Sequence, residues 1–118
     1  MPSLWIFAST AAGFALTLLG AYVCLRWYSF WKGNYRGGLL THGPYERVRH
    51  PFYSGFLALA LGLALLYPIL ETVMLAIFSV GGILFFIPRE EEFLLQQYGK
   101  DYREYMERVR WKIMPGIY

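Results

Sequence analysis

Charge is what this sequence has least of. Only 16% of its 118 residues are charged, whereas an average soluble domain has about 25%. The first charged side chain is Arg26, and the runs 51–70 and 72–88 contain none. Because a membrane-spanning helix needs about 17 to 25 mostly apolar residues, these runs exclude an ordinary soluble domain. They predict three spans, at about residues 4–28, 52–70 and 71–88.

Other absences narrow the function. The single cysteine, Cys24, cannot form an internal disulfide. No glycine motif follows a strand-like segment, so a Rossmann-type nucleotide site is not predicted, and no Ser-His-acid pattern stands out. His42 and His50 have no acidic residue at ligand spacing, so no metal site is predicted. No Lys or Arg precedes the first apolar run, which argues against a signal peptide.

The basic residues predict an orientation. All 11 Lys and Arg lie between 26 and 49 or between 89 and 112, and the turn near 67–71 has none. The positive-inside rule therefore places the 26–50 loop and the C-terminal tail in the cytoplasm. The net charge of +3 suits contact with anionic lipid head groups. Because acids alternate with bases in the tail, the charge pattern does not indicate a nucleic-acid partner.

The remaining patterns complete an all-α, integral membrane fold. Glycines and a proline predict a loop over 32–44. The tail 89–110 reads as a cytoplasmic helix whose tyrosines at 98, 102 and 105 share one face. The chain is then one domain, 1–118, with three spans and a tail helix. Such a bundle buries little surface as a monomer, so the sequence is compatible with a homo-oligomer.

A first polar cluster lies directly against the second apolar run. It contains Tyr45, Arg49, His50 and Tyr53 and follows a glycine-rich loop. An arginine at a membrane boundary can simply extend toward lipid phosphates. Combined with the histidine, however, it offers donors to a carboxylate, the tyrosines offer a stacking wall, and glycines let backbone amides approach a ligand. The cluster therefore predicts a binding site.

A second polar cluster follows the third apolar run. Glu90 and Glu91 stand at its end, and carboxylates accept hydrogen bonds from ribose hydroxyls or an amine. The alternative is that residues 90–92, coming after Pro88, begin the tail helix and complement its dipole. Since the two clusters lie on the same side of a short membrane hairpin, we expect them to form one site.

The two clusters resemble one family. The run Leu39-Leu40-Thr41-His42-Gly43-Pro44-Tyr45 followed by Arg49-His50-Pro51-Phe52-Tyr53-Ser54-Gly55 resembles the signature of isoprenylcysteine carboxyl methyltransferases, which in turn resemble phospholipid methyltransferases. The later series is similar too, and consists of Glu90, Glu91, Leu94, Tyr98, Gly99, Tyr102, Tyr105, Val109 and Pro115. The resemblance covers about residues 30–118.

The resemblance implies S-adenosylmethionine as methyl donor and a lipophilic acceptor. The residues that it assigns to cofactor binding are Gly38, Leu39, Leu40, Tyr45, His50, Pro51, Phe52, Tyr53 and Glu90. Two residues are expected to be catalytic. Arg49 would orient the acceptor or the cofactor carboxylate, and Glu91 or a tyrosine would accept a proton from an amine acceptor.

Two departures leave the acceptor open. Carboxyl methyltransferases of the family carry an arginine about four residues before the glutamate, where this chain has Phe86. The chain also has one predicted span before the motif, where relatives have two or more. The acceptor could resemble an isoprenylcysteine carboxylate or be another small lipophilic molecule. The alternatives are an amino-lipid N-methyltransferase of the phosphatidylethanolamine type and a non-catalytic small membrane protein.

Overall fold

The fold is all-helical, as predicted. A computed structural model describes residues 2–118, with side chains from Leu4 onward; the first residue of the predicted domain 1–118 lies outside this range. The described residues form four α-helices, one 3-10 helix and no strand. In chain order they are α1 (Pro2–Asn34), a 3-10 helix (Gly43–Glu46), α2 (Pro51–Leu66), α3 (Leu70–Tyr98) and α4 (Lys100–Arg108).

Two helices, α1 and α3, are long and apolar enough to cross a membrane. The helix between them, α2, is apolar but has only 16 residues. At 1.5 Å per residue it is about 24 Å long, less than the hydrocarbon thickness of about 30 Å. The count of two is therefore lower than the three spans predicted. The shortfall arises because α2 ends at Leu66, and a turn at Tyr67–Ile69 takes up the rest of the apolar run 52–70.

Helix α3 continues where a boundary was predicted. It passes through Pro88 and ends at Tyr98, so the separate tail helix over 89–110 is corrected to the last part of α3, residues 89–98, plus the short α4. A buried stripe explains the continuation. Ser79, Ile83, Ile87 and Glu91 recur every four residues and are all buried, whereas Pro88 is exposed on another face. Packing along this stripe offsets the hydrogen bond lost at the proline.

A glycine ends α3 and turns the chain into α4. Gly99 has φ +56°, a conformation that residues with a Cβ rarely adopt. The turn places α4 over the end of the α2–α3 hairpin where the two polar clusters lie. We call this end the polar mouth. There Tyr102 and Tyr105 are almost fully buried, together with Val109, and pack against Leu39 and Tyr45. Two of the three tyrosines predicted to share a helix face, Tyr102 and Tyr105, thus cover the polar clusters, whereas Tyr98 lies on α3 before the turn at Gly99.

Small residues bring α1 and α2 into backbone contact. A Cβ added to Gly20 would lie 2.6 Å from the carbonyl oxygen of Gly55, and one added to Gly13 would lie 2.8 Å from the amide nitrogen of Leu66. Helix α2 also contacts α3 and so lies between the two longer helices. Its first residues therefore lie between the end of α1 and the polar part of α3, which is where the polar clusters are.

Candidate active site

A buried ionic cluster joins the two sequence motifs. Arg49, His50 and Glu91 are 7%, 7% and 5% exposed. Arg49 donates two hydrogen bonds to the Glu91 carboxylate, from Nε to Oε2 at 2.5 Å and from Nη2 to Oε1 at 3.0 Å. His50 Nε2 lies 3.2 Å from the same Oε2, and Tyr102 Oη donates to it at 3.2 Å. The two motifs therefore form one site, as expected, although His50 and Glu91 are 41 residues apart in the chain.

These contacts keep Glu91 in its ionised form. Glu91 lies on α3 beyond the charge-free run 72–88. Burial would raise the pKa of Glu91, but hydrogen bonds from His50 and Arg49, reinforced by the charge of Arg49, lower it to about 2. The ionised carboxylate only accepts hydrogen bonds, so His50 must donate from Nε2, and in the neutral ring Nδ1 keeps a lone pair. Glu91 is therefore poorly suited to take a proton from an acceptor.

Arg49 has further partners on its other side. Its Nη1 donates to the carbonyl oxygens of Val109 at 3.0 Å and Arg110 at 3.2 Å. Burial alone would lower the pKa of Arg49, but the hydrogen bonds and charge of Glu91 outweigh burial and raise it. The guanidinium is thus permanently charged and already engaged by the protein itself.

A cavity of about 480 Å³ opens beside this cluster. It lies between the end of α1, the loop before α2, the start of α2, the polar half of α3 and α4. Every residue predicted to bind the cofactor lines it: Gly38, Leu39, Leu40, Tyr45, His50, Pro51, Phe52, Tyr53 and Glu90. Arg49 also borders the cavity, whereas Glu91 lies behind its wall. The volume is within the range of small-molecule sites, about 300 to 1,000 Å³.

Adjacent glutamates on α3 point in different directions. Glu90 faces the cavity, where its Oε2 accepts a hydrogen bond from Tyr53 Oη at 2.9 Å. Successive residues of a helix are about 100° apart, so Glu91 points into the protein instead. The Tyr53 ring also stacks on His50, with 5.6 Å between centroids. The cavity wall is thus ordered by contacts between the two motifs.

Three stacked aromatic rings at the end of α1 form one wall of the cavity, the aromatic ladder, and were not among the predicted site residues. The rings of Trp27 and Trp31 stack with centroids 5.9 Å apart, and those of Trp31 and Tyr35 with centroids 5.2 Å apart. Trp27 Nε1 donates to Tyr45 Oη at 2.8 Å, which ties the ladder to the motif loop. The signal was available in the spacing of four, which puts Trp27 and Trp31 on one helix face and brings Tyr35 next in the series, directly after α1 ends at Asn34.

Residues of α3 and α4 complete the lining and were also missed as site residues. From α3 come Phe93, Leu94, Gln97 and Tyr98, and from α4 Tyr102 and Tyr105. Burial raises the pKa of Tyr105 first of all, with the neighbouring Tyr45 adding to it. Its phenol therefore stays protonated and donates to the Tyr45 carbonyl oxygen at 2.7 Å.

Comparison with known proteins identifies relatives. The chain is 43% identical over 72 residues to a probable protein-S-isoprenylcysteine O-methyltransferase of Oryza sativa subsp. indica, covering 60% of this chain and 38% of the relative. It is 43% identical over 75 residues to protein-S-isoprenylcysteine O-methyltransferase A of Arabidopsis thaliana, covering 61% and 37%. A match to Delta(14)-sterol reductase TM7SF2 of Mus musculus is 37% identical over 86 residues, covering 68% and 20%. No solved structure matches significantly.

The family comparison covers more of the chain than these pairwise matches. The chain spans less than two fifths of the length of the curated relatives just described. The model of the phospholipid methyltransferase family, in contrast, matches residues 4–101, which include nearly all of α1, the whole of α2 and α3, and both polar clusters. The resemblance stated from the motifs is thereby confirmed, and the chain belongs to the phospholipid methyltransferase family.

Proposed function

We propose that this chain is a membrane methyltransferase that uses S-adenosylmethionine to methylate a lipophilic acceptor. The observation that carries the proposal is the convergence of all nine predicted cofactor residues on one cavity. The names of the plant relatives, protein-S-isoprenylcysteine O-methyltransferases, support methyl transfer and a lipophilic acceptor such as an isoprenylcysteine-like carboxylate.

The cavity fits the proposed donor in its chemistry. When bound, S-adenosylmethionine supplies an electrophilic methyl group. Glu90 offers a carboxylate to hydroxyl groups of the ligand. The faces of Trp27 and Trp31 suit a flat ring or a sulfonium cation. The backbone at Gly38 borders the cavity, and no Cβ there restricts the approach of a ligand.

The state of the acidic residues favours an acceptor that is already an anion. A carboxylate or thiolate acceptor needs no base, whereas an amine must first lose a proton. The pKa of Glu91 is lowered to about 2, so its carboxylate is ionised, and it lies behind the cavity wall. Glu90 already accepts a hydrogen bond from Tyr53. This observation favours a carboxylate acceptor over the amino-lipid alternative. The catalytic roles predicted for Arg49 and Glu91 remain predictions, and their contacts support an indirect role.

We further propose that the chain crosses the membrane three times with the cavity on the cytoplasmic side. Helix α2 would span as a short helix, at the cost of local bilayer thinning. The basic loop and tail flank the cavity, which the positive-inside rule places in the cytoplasm. Single cysteines at Gly37 and Lys100 in a Cys24→Ser background should resist an impermeant thiol reagent in intact cells. Labelling of either from outside would contradict this topology.

The function is tested by a methyl-transfer assay. Membranes containing the protein are incubated with S-adenosylmethionine carrying a labelled methyl group, and the lipid extract is analysed by mass spectrometry. A labelled ester of a lipophilic carboxylate is the expected product. A labelled amino-lipid would favour the N-methyltransferase alternative. Absence of both transfer and donor binding would favour the non-catalytic alternative.

A matched pair of variants tests the donor site. Glu90→Gln should weaken donor binding by about 1.5 to 3 kcal/mol, the contribution of a hydrogen bond to a charged group. Glu92→Gln changes an exposed residue of the same helix that does not line the cavity, so donor affinity should not change. Calorimetric titration in detergent measures both. Equal affinities would show that Glu90 does not contact the donor.

A further inference from the structure

Five consecutive carbonyl oxygens near the C-terminus accept hydrogen bonds from Arg49, His50 and Ser54, which lie just before and within the first turn of α2. We call residues 109–113 the C-terminal brace. Arg49 bonds the first two through Nη1, as described above, and its backbone amide donates to the third, that of Trp111, at 2.8 Å. The amide of His50 donates to the fourth, that of Lys112, at 2.9 Å. Ser54 Oγ donates to the fifth, that of Ile113.

The brace lies outside the cavity but is part of its support. None of its residues lines the cavity, yet Val109 is 4% exposed. Lys112 Nζ lies 3.8 Å from Glu91 Oε1. The brace therefore closes the back of the buried cluster.

The Arg49 side chain hydrogen-bonds both the brace and Glu91. Its Nε and Nη2 donate hydrogen bonds to Glu91, while its Nη1 donates to the brace. Such a planar fork can make both contacts at once, whereas an ammonium group cannot reproduce the geometry. Glu91 in turn bonds the His50 ring, which borders the cavity. A continuous set of contacts thus runs from the brace to the cavity wall.

We propose that Arg49 is a positioning residue that couples docking of the C-terminal brace to donor binding. It orients Glu91, Glu91 orients the His50 ring, and the docked brace keeps the start of α2 in place. The inference rests on the proposed function, because the ligand of the cavity is taken to be S-adenosylmethionine. Coupling between two sites is reciprocal, so the donor should also hold the brace in place.

Trypsin provides a direct readout, since Arg110 and Lys112 lie within the brace. Their carbonyl groups are engaged in the folded protein, so cleavage there requires release of the brace. In the full-length protein in detergent, Arg49→Lys should increase the cleavage rate at both sites at least tenfold. Arg47→Lys, an exposed neighbour, is the matched control and should leave the rate unchanged. Cleavage at exposed Arg36 serves as an internal reference.

A milder variant distinguishes local release of the brace from general misfolding. Ser54→Ala removes the hydroxyl that bonds Ile113 in the brace and the His50 carbonyl one turn earlier, and it should increase brace cleavage two- to fivefold while cleavage at Arg36 stays constant. If neither Arg49→Lys nor Ser54→Ala accelerates cleavage in the brace, the inference is overturned. Faster cleavage at Arg36 as well would mean general unfolding, which also contradicts a local clamp.

Donor binding separates coupling from a merely structural role. Saturating S-adenosylmethionine should slow brace cleavage in the unmodified protein but not in Arg49→Lys, and the donor Kd of Arg49→Lys should rise at least tenfold. A released brace with unchanged donor Kd would overturn the coupling while the proposed function survives. No donor binding by the unmodified protein would overturn the proposed function itself, and the coupling with it.

Discussion

Two regions of this molecule hold helices together by opposite means. At the polar mouth, Arg49 and Glu91 form a buried ion pair with several directed hydrogen bonds. Along the contact between α1 and α2, Gly20 faces Gly55 with room for nothing larger than a hydrogen atom. The mouth depends on the charged side chains that are present, whereas the contact between α1 and α2 depends on the absence of side chains at the glycines.

The difference follows from the surroundings of each region. Within lipid, apolar side chains gain little from contact with one another rather than with acyl chains, so close packing of small residues holds helices together. Outside the apolar runs, buried charges are costly unless every partner is supplied. Among residues whose side chains are described, no buried side-chain nitrogen or oxygen lacks a partner. The mouth should therefore tolerate loss of one partner badly.

The largest effect should come from removing one partner of the buried ion pair. Glu91→Ala leaves the Arg49 guanidinium buried without its counter-charge, which should cost about 3 to 5 kcal/mol in the free energy of unfolding. Glu92→Ala, exposed on the same helix, is the control and should change it by less than about 0.5 kcal/mol. Denaturant titration in detergent measures both. A similar small loss for both variants would contradict the importance of the pair.

A smaller effect is expected at the helix contact. Gly20→Ala places a methyl group 2.6 Å from the Gly55 carbonyl oxygen, so the helices must separate, at a cost of about 1 to 3 kcal/mol. Gly81→Ala on α3 has no atom within 4 Å of the added methyl and should be neutral or stabilising by up to about 1 kcal/mol. Equal stability of the two variants would show that α1 and α2 are not closely packed.

The sequence predicted the mouth better than the helices that carry it. Tyr45, His50 and Glu90 could be placed together because their side chains have a recognisable chemistry and spacing. The passage of α3 through Pro88 could not be predicted locally, since it depends on burial of Ile87 and Glu91 against other elements. The brace was missed because its carbonyl groups occur at every residue and leave no pattern in the sequence.

Acid should weaken the mouth while leaving the glycine contact intact. The pKa of Glu91 is about 2 in the folded protein and 4.5 ordinarily. A lowered folded pKa means that the stabilisation is complete above about pH 4.5 and is lost as the pH falls toward 2. The loss should approach about 1.4 kcal/mol per pH unit. Stability measured between pH 5 and 3 should fall more steeply for the unmodified protein than for Glu91→Gln; parallel curves would contradict the assignment.

The smallest effect should come from a neutral hydrogen bond at the edge of the mouth. Tyr105 Oη donates to the Tyr45 carbonyl oxygen at 2.7 Å from a side chain that is almost fully buried. Tyr105→Phe keeps the ring but leaves that carbonyl unpaired, which should cost about 1 kcal/mol. Tyr98→Phe removes a longer, exposed contact of 3.4 Å to the Gly37 carbonyl and should cost almost nothing. If Tyr105→Phe were as costly as Glu91→Ala, neutral bonds and buried charge would contribute alike, and the contrast between directed charge and close packing would not describe this molecule.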